Sequence, residues 1–194
     1  GDIESQALLN TMADGIEHTI RTNVHLDGRW ALALRLAPQF FDSVKPVNDI
    51  VDNTPFGVFY VAGRHFQAFH TRFADIARGG LRIVWPPNEE AHAQEFRKQF
   101  MECFNLAWAQ QLKNKDIPEG GSKAVCLVRP VDYVSAEQRS ALMHACVKRA
   151  TNSMLDLLVD CDNKSGKYGT IVTPAAIDEA AGNDAERWRR VNTR

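Results

Sequence analysis

The sequence predicts an α/β fold in which a mixed sheet, carrying an antiparallel hairpin, is flanked by long helices. Three observations predict it. The aromatic and β-branched runs "FGVFYVAG" and "HFQAFHTRFA" are joined by Gly63-Arg64, a Gly-X signal for a two-residue hairpin turn. Two long stretches with apolar residues at three-to-four spacing follow, and the short apolar run "AVCLVRP" lies between them. Strands that alternate with long helices build α/β layers, and the hairpin makes the sheet mixed.

The elements follow in order. Ile3, Leu8, Met12, Ile16 and Ile20 recur at helical spacing, which predicts a helix from Ile3 to about Thr22 that packs one face on something else. Residues 1–27 read as a helical arm on a single domain spanning 1–194. "GRWALALRLA" alternates Trp30, Leu32, Leu34 and Leu36 as a strand does, while Ala31, Ala33 and Ala37 leave its other face small enough to be covered as well. Three prolines between Pro38 and Pro55 predict a loop. "LRIVW", after Gly79-Gly80, is a short strand stopped by Pro86-Pro87. Asn88 caps a helix whose stripe is Phe96, Phe100, Cys103, Phe104, Ala107 and Trp108, and which ends near Lys113 to Asp116. "IPEGGSK" reads as a helix stop and turn before the strand "AVCLVRP". Ser135, with Gln138 three residues on, matches a capping box that opens a second long helix. "CDNKSGKYG" reads as a loop, and Thr173-Pro174 as the start of a final helix.

Composition narrows the function. Lys plus Arg number 23 against 24 Asp plus Glu, so no global field draws the chain to nucleic acid or to anionic lipid, and any electrostatic site is local. Cys103, Cys126, Cys146 and Cys161 lack the close pairs of zinc or redox motifs, and read as buried thiols in a reducing compartment. No apolar run reaches membrane-spanning length, and no secretory signal opens the chain. None of the 12 glycines has another at the two-residue spacing of a dinucleotide fingerprint. "EGGSK" fails as a phosphate loop, because Ser122 stands where the glycine before the lysine belongs and Ala124 replaces the magnesium-binding hydroxyl.

Cations do stand at glycine-flanked ends of elements. Arg78 and Arg82 bracket Gly79-Gly80, Lys113 closes the long helix one turn after Gln110, and Lys123 follows Gly120, Gly121 and Ser122. Glycine lets a backbone and a small ligand approach, since no Cβ intervenes. A dicarboxylate suits such a cluster. An ordinary reading stands beside it: solvated arginines on a tight turn, a lysine on the helix macrodipole and another on a turn.

The ordered segments "FHTRFADIARGGLRIV" and "NLAWAQQLKNKDIPEGGSKAVCLV" resemble the glutamate, leucine, phenylalanine and valine dehydrogenase superfamily, and most of all the large NAD-specific glutamate dehydrogenases. The likeness covers roughly residues 18–160 and is densest between Phe69 and Val128. It implies the substrate-binding domain of an enzyme that oxidatively deaminates L-glutamate to 2-oxoglutarate and ammonia. Arg78, in place of the family's usual lysine, is then implied to hold the side-chain carboxylate, with Arg82 bracing the cluster. Lys113, helped by Gln110, binds the α-carboxylate, Gly79, Gly80, Gly120 and Gly121 give the substrate room, and Lys123 is the catalytic lysine. Lysines crowded by cations and dried by cleft closure favour the neutral form that proton exchange requires.

The family's aspartate-bearing segment has no counterpart here, "TPAAIDEA" does not match it, and Asp178 receives no role. The resemblance further implies NAD bound by a domain outside this chain, a homo-oligomer, and a mitochondrial or cytosolic enzyme whose excised domain is inactive alone. A different class of function, a non-catalytic carboxylate- or anion-binding module, fits the same cationic cluster.

Overall fold

The strand that follows "IPE" is the axis of the molecule, because every layer meets on it. A computed structural model describes residues 2–41, 54–113, 118–131, 135–161 and 168–171. Helix α1 (Asp2–Glu17) leads into strands β1 (Thr19–Thr22) and β2 (Ala31–Leu36), then a 3-10 turn (Pro38–Phe41). The hairpin β3 (Gly57–Gly63) and β4 (Phe66–Arg72) precedes the short strands β5 (Ala77–Arg78) and β6 (Leu81–Val84). Helix α2 (Glu89–Leu112), strand β7 (Gly120–Val128) and helix α3 (Ala136–Leu158) follow, and β8 (Val159–Cys161) pairs with β9 (Tyr168–Ile171).

The main sheet has seven strands in the order β1-β2-β3-β4-β7-β5, with β6 also on β7. From β1 to β7 every pair is antiparallel, whereas β5 and β6 run parallel to β7. The sheet is therefore mixed, as the sequence predicts. The parallel pair requires a crossover, and α2 supplies it. The two helices take opposite faces. Ala31, Ala33, Phe59, Val61, Ala68, Cys126 and Val128 pack on Cys146, Ala150 and Leu157 of α3. On the other face Phe69 meets Phe100 of α2 with ring centroids 5.4 Å apart, and Phe73 meets Phe104 at 5.5 Å.

Helix starts follow their caps. Asn88 Oδ1 accepts from Ala91 N at 2.8 Å, with Glu89 and Glu90 in the first turn of α2. Ser135 N donates to Gln138 Oε1 at 2.9 Å while Gln138 N donates to Ser135 Oγ, so the predicted capping box forms in both directions. A buried lock ties α3 to the first strands: Arg29 Nε and Nη2 each donate to an Asp156 oxygen at 2.8 Å, and Asn23 Nδ2 donates at 3.1 Å.

Several sequence expectations need correction. The first helix ends at Glu17, and Thr19–Thr22 is instead the edge strand of the main sheet. Its apolar side chains Leu8, Leu9, Met12 and Ile16 stay exposed. In β2 the small Ala31 and Ala33 are sealed under α3, because a helix backbone comes closest over alanine; on the other face Leu36 is buried with Val58 and Phe100, while Leu32, and Trp30 just before the strand, remain exposed. The hairpin turn is Arg64-His65, since Gly63 pairs with Phe66 and still belongs to β3. Gly120 through Lys123 are strand residues of β7. The ends of "CDNKSGKYG" are strand residues, Cys161 closing β8 and Tyr168 and Gly169 opening β9, and the residues between lie outside the described ones. The final helix expected from Thr173-Pro174 lies outside the described residues, as does Asp178. Between α1, the leucine face of β2 and Phe96 of α2 runs an open apolar groove of about 1120 Å³. Among the described residues no helix is long and apolar enough to cross a membrane.

Candidate functional site

The sequence-predicted site residues gather around the start of β7. Ala77 and Arg78 pair with Gly120 and Gly121, and three residues later Leu81 and Arg82 pair with Ala124 and Val125. Gly79-Gly80 is the link between those two ladders. Its first glycine is pressed onto β7, where an added Cβ would stand 1.8 Å from the Ser122 carbonyl oxygen. Its second accepts from Ala124 N at 3.1 Å. Above Gly80 the space belongs to Lys123, whose Nζ would lie 3.8 Å from a Cβ there. Alternation along β7 puts Gly121, Lys123 and Val125 on one face, and the paired Arg78 shares it.

That face is the one α2 covers. Gly121 touches the helix backbone, since a Cβ would come within 2.1 Å of Gln111 N and 2.4 Å of Ala107 O. Gly121 N also donates to Gln111 Oε1 at 2.6 Å. Gly120 is equally tight against Ala74, and its N–H donates to Ile76 O at 2.7 Å. These glycines exist for close approach of backbone to backbone, and not for a turn. Lys113 is the C-cap of α2 with φ −77° and ψ −9°, its N–H donating to Gln110 O and Gln111 O. It therefore stands exposed at the helix end nearest Gly121, where the macrodipole favours a cation. Gln110 is half-buried one turn earlier.

Charge is distributed unevenly among the cations. Arg82 is matched by the Glu102 carboxylate of α2, which links β6 to the helix. Lys113 and Lys123 form no ion pair among the described residues. Behind Lys123 the layer is dry. Thr71, its cross-strand partner, is fully buried, and Cys103 Sγ of α2 donates to Lys123 O at 3.2 Å and to Phe69 O at 3.4 Å. Burial pushes the Cys103 thiol up to about 11 and that of Cys126 up to about 12, so both stay protonated and Cys103 keeps the hydrogen it donates. Cys103, Cys126 and Cys146 are buried and free, as expected, and the side chain of Cys161 lies outside the described residues.

Sequence reasoning passed over four residues that shape this site: Gln99, Glu102, Cys103 as a donor, and Gln111. The signal available was the exact-turn recurrence of Gln99, Cys103, Ala107 and Gln111 along α2, which looks like one face of a helix with polar ends. Gly79, Gly120 and Gly121 are filled by Ser122, Ala74 and α2, whereas Gly80 meets only Lys123 Nζ.

Known proteins are similar to this chain. Residues 1–186 match the family described as bacterial NAD-glutamate dehydrogenase, catalytic domain. The chain is 36% identical over 153 residues to the NAD-specific glutamate dehydrogenase of Saccharomyces cerevisiae, which covers 79% of this chain and 13% of that protein. It is 38% identical over 142 residues to glutamate dehydrogenase 2 of Dictyostelium discoideum, covering 73% of this chain and 12% of that protein. A similar match, 38% over 143 residues, covers 74% of this chain and 12% of the Neurospora crassa NAD-specific glutamate dehydrogenase. The chain thus spans about an eighth of the length of the curated relatives it matches.

Proposed function

The chain belongs to the catalytic domain of the bacterial-type NAD-specific glutamate dehydrogenases, and from that premise we propose that residues 1–194 are its substrate-binding domain, with residues 1–27 an arm. The observation that carries the reading is the meeting of three motifs at one strand end. Arg78 is the ladder partner of Gly121, Lys123 Nζ sits over Gly80, and Lys113 caps the helix packed on Gly121. A dicarboxylate amino acid needs two cationic clamps and a proton carrier, and this end of β7 gathers Arg78, Lys113 and Lys123.

In this reading Arg78 grips the side-chain carboxylate of glutamate, its planar fork giving two-point contact. Lys113, with Gln110, holds the α-carboxylate. Lys123 then points its ammonium at the oxygen of the 2-oxoglutarate carbonyl, polarising it, and passes protons to and from the water that opens the imine. Gly80, beside Lys123 Nζ, is the glycine left open toward a substrate, whereas Gly79, Gly120 and Gly121 bring Ser122, Ala74 and α2 close against the strands that carry the cations. Clamping converts encounter into orientation, which supplies much of the rate. NAD is the coenzyme of the family, and in this reading another part of the whole enzyme holds it. The exposed apolar face of α1 fits association between copies.

The test is Lys123→Ala in the full-length enzyme. Turnover should fall by about 10²–10⁴-fold, the usual worth of a proton-transferring group, with circular dichroism unchanged. Turnover within about tenfold of wild type would remove Lys123 from the chemistry.

A further inference from the structure

Gln99, Cys103 and Ala107, spaced one turn apart on α2, meet alternate residues of β7, and Gln111, one turn further, shares Gly121 with Ala107. Gln99 Nε2 donates to Val125 O at 2.9 Å, and Cys103 Sγ to Lys123 O at 3.2 Å. Further along, the backbone of Ala107 and Gln111 touches Gly121, and Gln111 Oε1 accepts from Gly121 N at 2.6 Å. The match has a geometric basis. Four helical residues rise about 6 Å and two strand residues about 6.6 Å, so a helix and a strand running in opposite senses stay in step over this length.

Polar side chains in such a layer are costly unless satisfied, and apolar residues would fill the same space. Yet Gln99 is 2% exposed and Cys103 0%. Gln99 is held a second time by Gln67, whose Nε2 donates to Gln99 Oε1 at 2.6 Å, and Thr71 Oγ1 lies 3.7 Å from Cys103 Sγ. Apolar contact is non-directional and tolerates sliding, whereas hydrogen bonds fix a register. What they fix is consequential, because Lys113 rides on α2 and Lys123 on β7.

We propose that Gln99, Cys103 and Gln111 are positioning residues: their bonds to Val125, Lys123 and Gly121 lock α2 against β7 and so set the separation between the Lys113 clamp and the Lys123 ammonium. The catalytic consequence rests on the reading of Lys123 given above; the positioning itself does not.

The experiment uses the full-length enzyme carrying Cys103→Ala, Gln111→Met, or Gln111→Glu, whose carboxylate keeps an acceptor for Gly121 N–H. Steady-state kinetics are read beside the rate at which an amine-reactive acylating reagent labels Lys123 across pH, followed by mass spectrometry. A misplacement approaching 1 Å lowers kcat by about ten- to a hundredfold, so Cys103→Ala and Gln111→Met should do so, with KM for glutamate within about threefold and Lys123 labelling changed severalfold. Gln111→Glu should return kcat to within about threefold of wild type. Wild-type kcat and wild-type labelling in both Cys103→Ala and Gln111→Met, whatever their melting temperatures, would overturn the proposal and leave the contacts to fold stability. If Lys123→Ala keeps its turnover while Cys103→Ala still alters the labelling of Lys123, the catalytic reading falls and the positioning stands.

Discussion

Replacing Gly79 with alanine and replacing its neighbour Gly80 with alanine should have opposite consequences, although sequence alone makes the two positions look alike. At Gly79 the new Cβ would stand 1.8 Å from the Ser122 carbonyl oxygen and 2.4 Å from its carbon. Both are backbone atoms, so no rotamer change relieves the clash. The link between β5 and β6 must lift from β7 by about 1.5 Å to restore an ordinary contact. Overpacking costs 1–3 kcal/mol, and a backbone partner places this case near about 3 kcal/mol. For a chain of this length that is a fall in melting temperature of about 6–12 °C. At Gly80 the nearest atom to a Cβ is Lys123 Nζ at 3.8 Å, and neither glycine has a left-handed φ. Alanine there should leave stability within about 0.5 kcal/mol, helped by a less free unfolded chain. Thermal melts of the two variants and the parent chain, followed by circular dichroism, decide the matter. Equal melting temperatures for the two variants, or a lower one for Gly80→Ala, would refute the steric account.

Two further outcomes follow from buried charge. Asp156→Ala removes the partner of Arg29 and Asn23; since Arg29 can turn toward solvent, the loss should be about 2–3 kcal/mol in urea denaturation rather than the full cost of breaking a buried pair. A loss below about 0.5 kcal/mol would show the lock to be idle. Burial, and then the charge of Arg72, depress the His70 imidazole from 6.5 to about 3, against a weaker upward pull from the Lys123 backbone. Below about pH 6.5 the unfolded chain therefore binds a proton that the folded chain refuses, so the His70 contribution to stability falls as pH drops from 6.5 toward 3. His70→Phe, beside the Phe59 ring at 5.6 Å, should flatten that acid limb, and an unchanged slope of stability against pH would exclude His70 as its source.

What the sequence made legible were features whose signals are local. The β3–β4 hairpin shows in its aromatic alternation, α2 in Asn88 and its acidic first turn, and α3 in the reciprocal bonds of Ser135 and Gln138. The start of β7 was hidden because glycine usually marks a turn. Here Gly120 and Gly121 are strand residues that admit Ala74 and the α2 backbone, a demand set by residues far away in the chain. Likewise the cover on β2 could not be read from its alternation alone: α3 seals the alanine face, while the leucine face is buried only toward Leu36, against Val58 and Phe100. The site residues were visible as glycine-flanked cations. Their mutual placement was not, and neither was the Glu102 partner of Arg82, because both depend on which strands lie beside β7.

The position of β7 between an antiparallel neighbour and two parallel ones bears on the order of folding. The β3–β4 hairpin closes a short loop and forms early, whereas β7 must return across about fifty residues to find β4, and across α2 to find β5 and β6. The strand that arrives last is the one that carries Lys123. A nascent or half-folded chain therefore holds its lysine and its arginine apart, and the two meet only when the sheet is complete.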